Sequence, residues 1–131
     1  MTNQPLILIV DDGKDFREII KTKLESFNVK IIEAENGKDG LVKARQFKPD
    51  LILIDVVMPE MDGITMLGEL KKDPETQSIK AALFSSYVDS EPEKYEEEKA
   101  RAIKNGAIDL LIKTEDFNML MEKLKRIIDR L

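Results

Sequence analysis

The sequence predicts an α/β fold in which helices flank both faces of a five-stranded parallel sheet in a doubly wound arrangement. Residues 6–10 and 51–54 are continuous apolar runs, which are typical of strands buried on both faces. Amphipathic helical patterns alternate with five predicted strands along the chain, and this alternation favours a parallel sheet with right-handed crossovers. Both apolar runs lead directly into aspartates, at the sheet edge where ligands bind in parallel folds.

Each strand is followed by a helix with apolar residues at helical spacing. The strands are predicted at residues 6–10, 29–34, 51–54, 79–85 and 108–112. The first helix carries its apolar stripe at Phe16, Ile19, Ile20, Leu24 and Phe27. The last helix carries a longer stripe at Phe117, Leu120, Met121, Leu124, Ile127, Ile128 and Leu131.

Local signals place the ends of the other helices. Asn36-Gly37 opens the second helix, and Gly63 begins the third. The inward positions of the third helix are Ile64, Leu67 and Leu70. The sequence Ser-Glu-Pro-Glu at residues 90–93 predicts a capping box that opens a charged fourth helix ending at Asn105-Gly106.

Composition excludes several classes of function. The 131 residues suffice for one domain, expected to span residues 1–131 with no output domain in this chain. The absence of cysteine excludes disulfides and fits a cytoplasmic location, while the absence of histidine excludes histidine-based catalysis or metal binding. The net charge of −5 argues against nucleic-acid binding by this chain. No apolar run is long enough to cross a membrane.

Three carboxylates are expected at one edge of the sheet. Asp11 and Asp12 directly follow the first strand, and Asp55 follows the apolar run of the third strand. Carboxylates that lie close together raise the cost of ionising one another, so such a group is an unfavourable way to stabilise a fold. A hard divalent cation would relieve this repulsion and could in turn hold a phosphoryl group.

Ser85 and Lys113 extend this edge, because they end the fourth and fifth strands. Each candidate also has a simpler interpretation when it is taken alone. Asp11 and Asp12 could cap the first helix, Ser85 could satisfy a backbone group, and Lys113 could be a solvated surface residue. The functional interpretation is favoured because four of the five strands end in the residue types that a metal-assisted phosphoryl site needs.

Four segments of the chain together form a recognisable pattern: Val10-Asp11-Asp12, the sequence Leu-Ile-Asp-Val-Val-Met-Pro-Glu-Met-Asp-Gly at residues 53–63, Leu83-Phe84-Ser85-Ser86, and Gly106-Ala107 followed by Lys113. With these segments the chain closely resembles the receiver domain of bacterial two-component response regulators. The resemblance covers essentially the whole chain. It implies a flavodoxin-like sheet of strand order 2-1-3-4-5. It also implies a signalling module rather than a turnover enzyme.

The resemblance implies a Mg²⁺ site, in which Mn²⁺ could substitute. Asp12 and Asp55 would bind the ion directly, together with the backbone carbonyl of Val57. Asp11 would act largely through water. This ligand set agrees with the preference of Mg²⁺ for one or two carboxylates with retained waters.

The resemblance also implies phosphoryl chemistry at Asp55. This residue would attack a phosphohistidine on a sensor histidine kinase or a histidine phosphotransfer protein. Ser85 would donate a hydrogen bond to the phosphoryl oxygens, and Lys113 would pair with them. Because the chain has no histidine, the phosphohistidine must belong to the partner.

The chain departs from the family pattern outside these site residues. Leu110 stands where the family commonly has an aromatic residue that moves on phosphorylation. Thr114 replaces a proline that usually follows a cis peptide bond, and a cis bond before threonine would cost roughly 3 kcal/mol. We therefore expect a trans bond, with Thr114 as the N-cap of the last helix and with Glu115 and Asp116 in its first turn. The stretch from Ser85 to Lys113 is also longer than usual.

Three other functions fit parts of the pattern. A phosphatase of the haloacid dehalogenase type would need a second aspartate at position 57, where Val57 stands. A flavodoxin-like cofactor binder would need a phosphate-cradling loop after the first strand, where Asp11-Asp12-Gly13 would repel phosphate. A pseudo-receiver that binds a partner constitutively stays open, because the switch region is altered although the acidic site is complete.

The fourth helix offers a thin apolar stripe of Tyr95, Ala102 and Ile103, so a simple solvated helix is one interpretation. Such a helix would be held by pairs such as Glu97–Arg101, each contributing about 0.3–0.5 kcal/mol. The alternative hypothesis is that residues 86–105 form the element that phosphorylation reorders for a partner. Segments with few buried contacts open at low free energy.

Overall fold

A computed structural model describes residues 4–85, 91–113 and 116–131 of the chain. Within these residues, five parallel strands form one sheet of order β2-β1-β3-β4-β5. The strands are β1 (Leu6–Val10), β2 (Lys30–Ala34), β3 (Leu51–Asp55), β4 (Lys80–Ser85) and β5 (Asp109–Ile112). The predicted fold class and strand order are confirmed. Strands β2, β4 and β5 begin one residue later than predicted, and β3 includes Asp55 itself.

The helices alternate with the strands as predicted. They are α1 (Lys14–Leu24) with a following 3-10 turn (Glu25–Phe27), α2 (Gly37–Phe47), α3 (Gly63–Lys72), α4 (Pro92–Lys104) and α5 (Phe117–Asp129). Asn36 caps α2 by accepting a hydrogen bond from the backbone N–H of Asp39 at 2.8 Å, and Asp62 caps α3 in the same way. Among the described helices, none has the length and apolar character that a membrane span requires.

Two apolar layers enclose the sheet, which explains why the central strands are apolar at every position. One face of β1 and β3 packs against α2, α3 and α4 through Leu8, Val10, Ile52 and Ile54. The other face packs against α1 and α5 through Ile7, Ile9, Leu51 and Leu53. Each of these eight side chains is completely buried, and such burial contributes about 1.5–3 kcal/mol per residue. The layers therefore hold the carboxyl ends of the strands rigidly in place.

Two members of the apolar stripes predicted on the first and last helices lie outside the core. Ile19 is 54% exposed, whereas Ile20 and Leu24 of the same helix are buried. Successive residues lie about 100° apart around a helix, so Ile19 is turned away from the arc that faces the sheet. Leu131, predicted on the stripe of the last helix, follows the end of α5 and is exposed.

The first turn of α4 differs from the predicted capping box. The N-cap is Glu91, whose side chain makes no capping hydrogen bond, while Ser90 lies outside the described residues. An ion pair at this end joins Glu91 to Lys94 at 2.9 Å. The predicted Glu97–Arg101 pair is not formed in the described part of the chain.

The predicted end of α4 is confirmed. Asn105 is the C-cap, and Gly106 follows with a φ of 103°, a conformation that strongly favours glycine. Within α4, Ala102 is buried, but Ile103 is 46% exposed, so the predicted apolar stripe is narrower than expected.

The N-cap of α5 is Asp116, and the prediction of Thr114 as N-cap was wrong. The side chain of Asp116 accepts a hydrogen bond from the backbone N–H of Met119 at 3.2 Å. Aspartate is at least as good an N-cap as threonine, so the helix begins at Phe117, later than predicted. Thr114, Glu115 and the peptide bond expected to be trans lie outside the described residues.

Candidate functional site

The sheet register brings the predicted carboxylates together. Val10 pairs with Ile54 across β1 and β3, so Asp11 and Asp55 leave neighbouring strands at the same level. One carboxylate oxygen from each of Asp11, Asp12 and Asp55 lies within 4.8 Å of the other two. The structure therefore places these three side chains in one group, at the sheet edge predicted from the strand pattern.

The three carboxylates differ in their surroundings. Asp11 is completely buried, Asp55 is 4% exposed, and Asp12 is exposed to solvent. Both oxygens of Asp11 are occupied: Oδ1 accepts from the backbone N–H of Gly13 at 2.6 Å, and Oδ2 accepts from Nζ of Lys113 at 2.7 Å. The same ammonium group donates to Oδ2 of Asp55 at 3.1 Å. Lys113 therefore bridges the two buried carboxylates.

Electrostatics make the ionised form of Asp55 costly. Burial raises the pKa of Asp55, and the neighbouring Asp11 raises it further, while Lys113 opposes both effects. Burial lowers the pKa of Lys113, but its hydrogen bonds and charge interactions with the two aspartates outweigh that effect and leave its pKa raised. Lys113 is thus held as a cation beside Asp55, and additional positive charge would further stabilise the ionised form of that carboxylate.

Strand β4 supplies Ser85, which is 1% exposed. The register sets Phe84 opposite Asp55, so Ser85 lies one residue beyond it at the same sheet edge. On the other side, Ser85 pairs with Ile112, and its carbonyl accepts from the backbone N–H of Lys113 at 3.4 Å. The predicted serine and lysine are therefore joined to each other through the end of the β4–β5 ladder.

The loop after β3 folds tightly over the end of that strand. The backbone N–H of Gly63 donates to the carbonyl of Val56 at 2.8 Å. A Cβ atom at Gly63 would collide with the backbone carbonyl of Asp55, so glycine is required by this close approach. Val57 is 57% exposed at the rim of the site, and its N–H donates to Oδ1 of Asp55 at 3.2 Å.

The residues present fit a hard divalent cation. Carboxylate oxygens are ligands that Mg²⁺ prefers, and this ion keeps several waters when proteins bind it. The three oxygens here lie within 4.8 Å of one another, so one hydrated ion could be held by this group directly or through its waters. Asp12 provides the solvent-exposed side from which a hydrated ion could enter.

Sequence reasoning missed Arg17. Its side chain is only 12% exposed, and it donates to the backbone carbonyl of Asp11 at 2.5 Å and to Glu33 on β2 at 3.1 Å. Lys21 adds a second, longer ion pair to Glu33 at 3.7 Å. Arg17 therefore fixes the main chain that carries the acidic pair. The only sequence signal was a basic residue one turn into α1, which is too common to indicate this contact.

Together these features define a class of protein: a doubly wound α/β domain with a lysine-bridged carboxylate cluster at the carboxyl edge of its sheet. The family model described as "Response regulator receiver domain" matches residues 7–125. The chain is 34% identical over 122 residues to the protein PilH of Pseudomonas aeruginosa, covering 93% of this chain and 96% of that one. It is 32% identical over 125 residues to the chemotaxis protein CheY of Listeria monocytogenes, covering 92% and 95% respectively.

A solved structure gives the same result. The receiver domain of Francisella response regulator 1452 superposes with a TM-score of 0.81 at 28% identity, covering 97% of this chain and 98% of that one. The chain therefore belongs to the response regulator receiver family, and the resemblance seen in the sequence is confirmed. Receiver domains are signalling modules that bind Mg²⁺ in an acidic cluster and interact with histidine kinases or phosphotransfer proteins and with effectors.

Proposed function

We propose that this protein is a phosphorylatable receiver that accepts a phosphoryl group on Asp55 from a phosphohistidine, in a Mg²⁺-dependent reaction, and thereby controls a partner protein. The donor would be a sensor histidine kinase or a histidine phosphotransfer protein. The observation that carries the proposal is the bridge from Lys113 to Asp11 at 2.7 Å and to Asp55 at 3.1 Å, with Asp12 beside it. This arrangement brings together a proposed nucleophile (Asp55), a fixed positive charge (Lys113) and a group of carboxylates that could bind a metal ion.

In the proposed transfer, an oxygen of Asp55 forms the new bond to phosphorus. The bond between phosphorus and the histidine nitrogen breaks, and its electron pair stays on that nitrogen. An ionised carboxylate is repelled by an anionic phosphoryl group, so positive charge is needed at this point. Asp12, Asp55 and the carbonyl of Val57 would hold Mg²⁺ or Mn²⁺, which supplies that charge, while Asp11 acts largely through water. The occupied oxygens of Asp11 support this indirect role.

Lys113 and Ser85 have the roles of orienting and stabilising groups. Lys113 would pair with the phosphoryl oxygens as charge shifts toward them, and fixed charges of this kind act with little reorganisation. Ser85 would donate a hydrogen bond from its hydroxyl group to one of those oxygens. The acyl phosphate that results changes the local charge, which could bias a two-state surface on the protein.

The proposed partners are proteins. The acidic net charge of −5 disfavours a nucleic-acid surface on this chain, and we propose no membrane partner. A cytoplasmic location agrees with the absence of cysteine.

Intact-protein mass spectrometry after incubation with acetyl phosphate tests this proposal. The wild type should gain one phosphoryl group when Mg²⁺ or Mn²⁺ is present and none in EDTA. Asp55→Asn should gain none, whereas the matched control Asp129→Asn, altered at a carboxylate that is 60% exposed, should be labelled like the wild type. Equal labelling of Asp55→Asn would refute the assignment of the phosphoacceptor. A wild type that is not labelled would favour the pseudo-receiver.

A further inference from the structure

An aromatic ring lies against the ammonium group of Lys113. Nζ of Lys113 is 4.3 Å from the centroid of the Phe16 ring, well within the range of a cation–π interaction. Two other lysine–ring approaches among the described residues, Lys23 to Phe117 and Lys99 to Tyr95, are both 6.0 Å long. The ammonium group of Lys113 therefore lies much closer to its aromatic ring than the other two lysines lie to theirs.

The Phe16 ring is itself held in place. It meets Phe84 in an edge-to-face arrangement, with centroids 5.2 Å apart and an interplanar angle of 85°, which is a favourable geometry for aromatic pairs. Phe84 is 1% exposed and lies opposite Asp55 in the β3–β4 register. The ring that contacts the lysine thus packs on the strand end that forms the site.

We propose that Phe16 is a positioning residue for Lys113. The face of the Phe16 ring contacts the ammonium group of Lys113 on one side, and the carboxylates of Asp11 and Asp55 bind it on the others. A lysine ammonium sits on a flexible four-carbon stem, so a fixed position requires several contacts. The inference rests on the role in phosphoryl transfer proposed for Lys113.

The chemistry of the ring suits this purpose. An ammonium group has three N–H donors and no acceptor, and two donors are used by Asp11 and Asp55. A third carboxylate would use the last donor and add negative charge where a phosphoryl group must approach. An aromatic face attracts the cation through its quadrupole without adding a formal charge, so the ammonium is held while its capacity to bind phosphoryl oxygen is kept.

NMR of the Lys113 side chain tests the placement without any phosphorylation. In the wild type, the ring current of Phe16 should shift the Hε resonances of Lys113 upfield. This shift should be lost in Phe16→Leu, kept in Phe16→Tyr, and unchanged in Phe27→Leu, a matched loss of an aromatic ring packed on the same core. If Phe16→Leu does not fold, Phe16→Met carries the same test. An unchanged Lys113 resonance in the variant without the ring would overturn the proposal.

A double-mutant cycle tests the consequence for phosphorylation. With acetyl phosphate and Mg²⁺, Phe16→Leu should slow the labelling of Asp55 by roughly 3- to 10-fold, Phe16→Tyr should restore it, and Phe27→Leu should leave it unchanged. In the Lys113→Ala background, Phe16→Leu should have no further effect, because its action passes through the lysine. An equal effect in both backgrounds would show a general structural role and would overturn the proposal. If the wild type is not labelled at all, the proposed function fails, while the NMR result still decides the placement.

Discussion

Nζ of Lys113 lies 2.7 Å from Oδ2 of Asp11 and 3.1 Å from Oδ2 of Asp55, so the lysine lies closer to Asp11 than to the proposed nucleophile. The two contacts draw the same cation toward carboxylates that repel each other. Because the lysine and a metal ion carry the same sign of charge, they compete for this negative potential. Lys113 therefore stabilises the site while mildly opposing the binding of a cation.

Lys113→Ala is expected to leave the Mg²⁺ affinity nearly intact or slightly tighter. The same variant should lower the rate of phosphorylation by roughly one to three orders of magnitude, because a fixed cation at the phosphoryl oxygens is lost. Calorimetric titration with Mg²⁺ and the acetyl phosphate reaction measure the two effects separately. Lys125→Ala, which removes an exposed lysine that pairs with Asp129, is the control. A large loss of metal affinity in Lys113→Ala would contradict the role given to this residue.

Asp55→Asn is expected to raise the melting temperature in EDTA by an amount on the order of a few degrees. The pKa of Asp55 is raised by burial and then by Asp11, so its charged form is less favourable in the folded than in the unfolded protein. For an acid with a raised folded pKa, this cost is fully present above that pKa and is lost as the pH falls below the ordinary value of 3.8.

The difference between wild type and Asp55→Asn should accordingly be largest at neutral pH and should shrink in mild acid. Mg²⁺ should shrink it too, because a bound cation stabilises the wild type and offsets the repulsion between the carboxylates. Thermal melts of both proteins with EDTA and with Mg²⁺ test this, with Asp129→Asn as the control. A variant that is less stable than the wild type in EDTA at neutral pH would contradict the pKa argument.

Two glycines of α3 should respond in opposite directions to alanine. Gly63→Ala places a Cβ against the backbone carbonyl of Asp55, so it should destabilise the fold by about 1–3 kcal/mol. Gly68→Ala meets no atom within 4 Å and should stabilise it by about 0.5–1 kcal/mol. Urea denaturation measures both changes, and equal effects would show that the close approach at Gly63 is not the cause. Gly63→Ala should also impair labelling of Asp55, because its carbonyl must move.

The strand order and the acidic edge could be predicted because each follows from a short stretch of sequence. A run such as residues 51–54 is apolar at every position only when both faces are covered, and the acids at its end share one edge by geometry. Contacts between distant side chains could not be predicted in this way. The approach of Phe16 to Lys113 and of Arg17 to Asp11 depends on how α1 is rotated against the sheet. Sequence spacing leaves that rotation undetermined, as the exposure of Ile19 demonstrates.

Helix α4 contains a feature that the sequence pattern did not indicate. Glu98 is 6% exposed, and its Oε1 has no hydrogen-bond partner among the described residues. Burying a polar group without a partner costs about 1–3 kcal/mol. The same helix is attached to β5 by the hydroxyl of Tyr95, which donates to the carbonyl of Leu110 at 2.6 Å. The hydrogen bond of Tyr95 thus holds α4 against the sheet, while the buried oxygen of Glu98 weakens the packing of the same helix.

Glu98→Met is therefore expected to raise the free energy of unfolding by about 1–3 kcal/mol, whereas Glu97→Met, on the exposed side of α4, should change it little. Urea denaturation provides the measurement.

A second result should follow if residues 86–105 form the element that phosphorylation reorders. A helix weakened by Glu98 opens at lower free energy, so beryllofluoride, a phosphoryl mimic, should change hydrogen-exchange protection in this segment of the wild type, and the change should be smaller in Glu98→Met. If protection changes only on other surfaces of the wild type, the signal leaves by a face other than α4. A Glu98→Met protein that is less stable than the wild type would show that the carboxylate is stabilising where it lies.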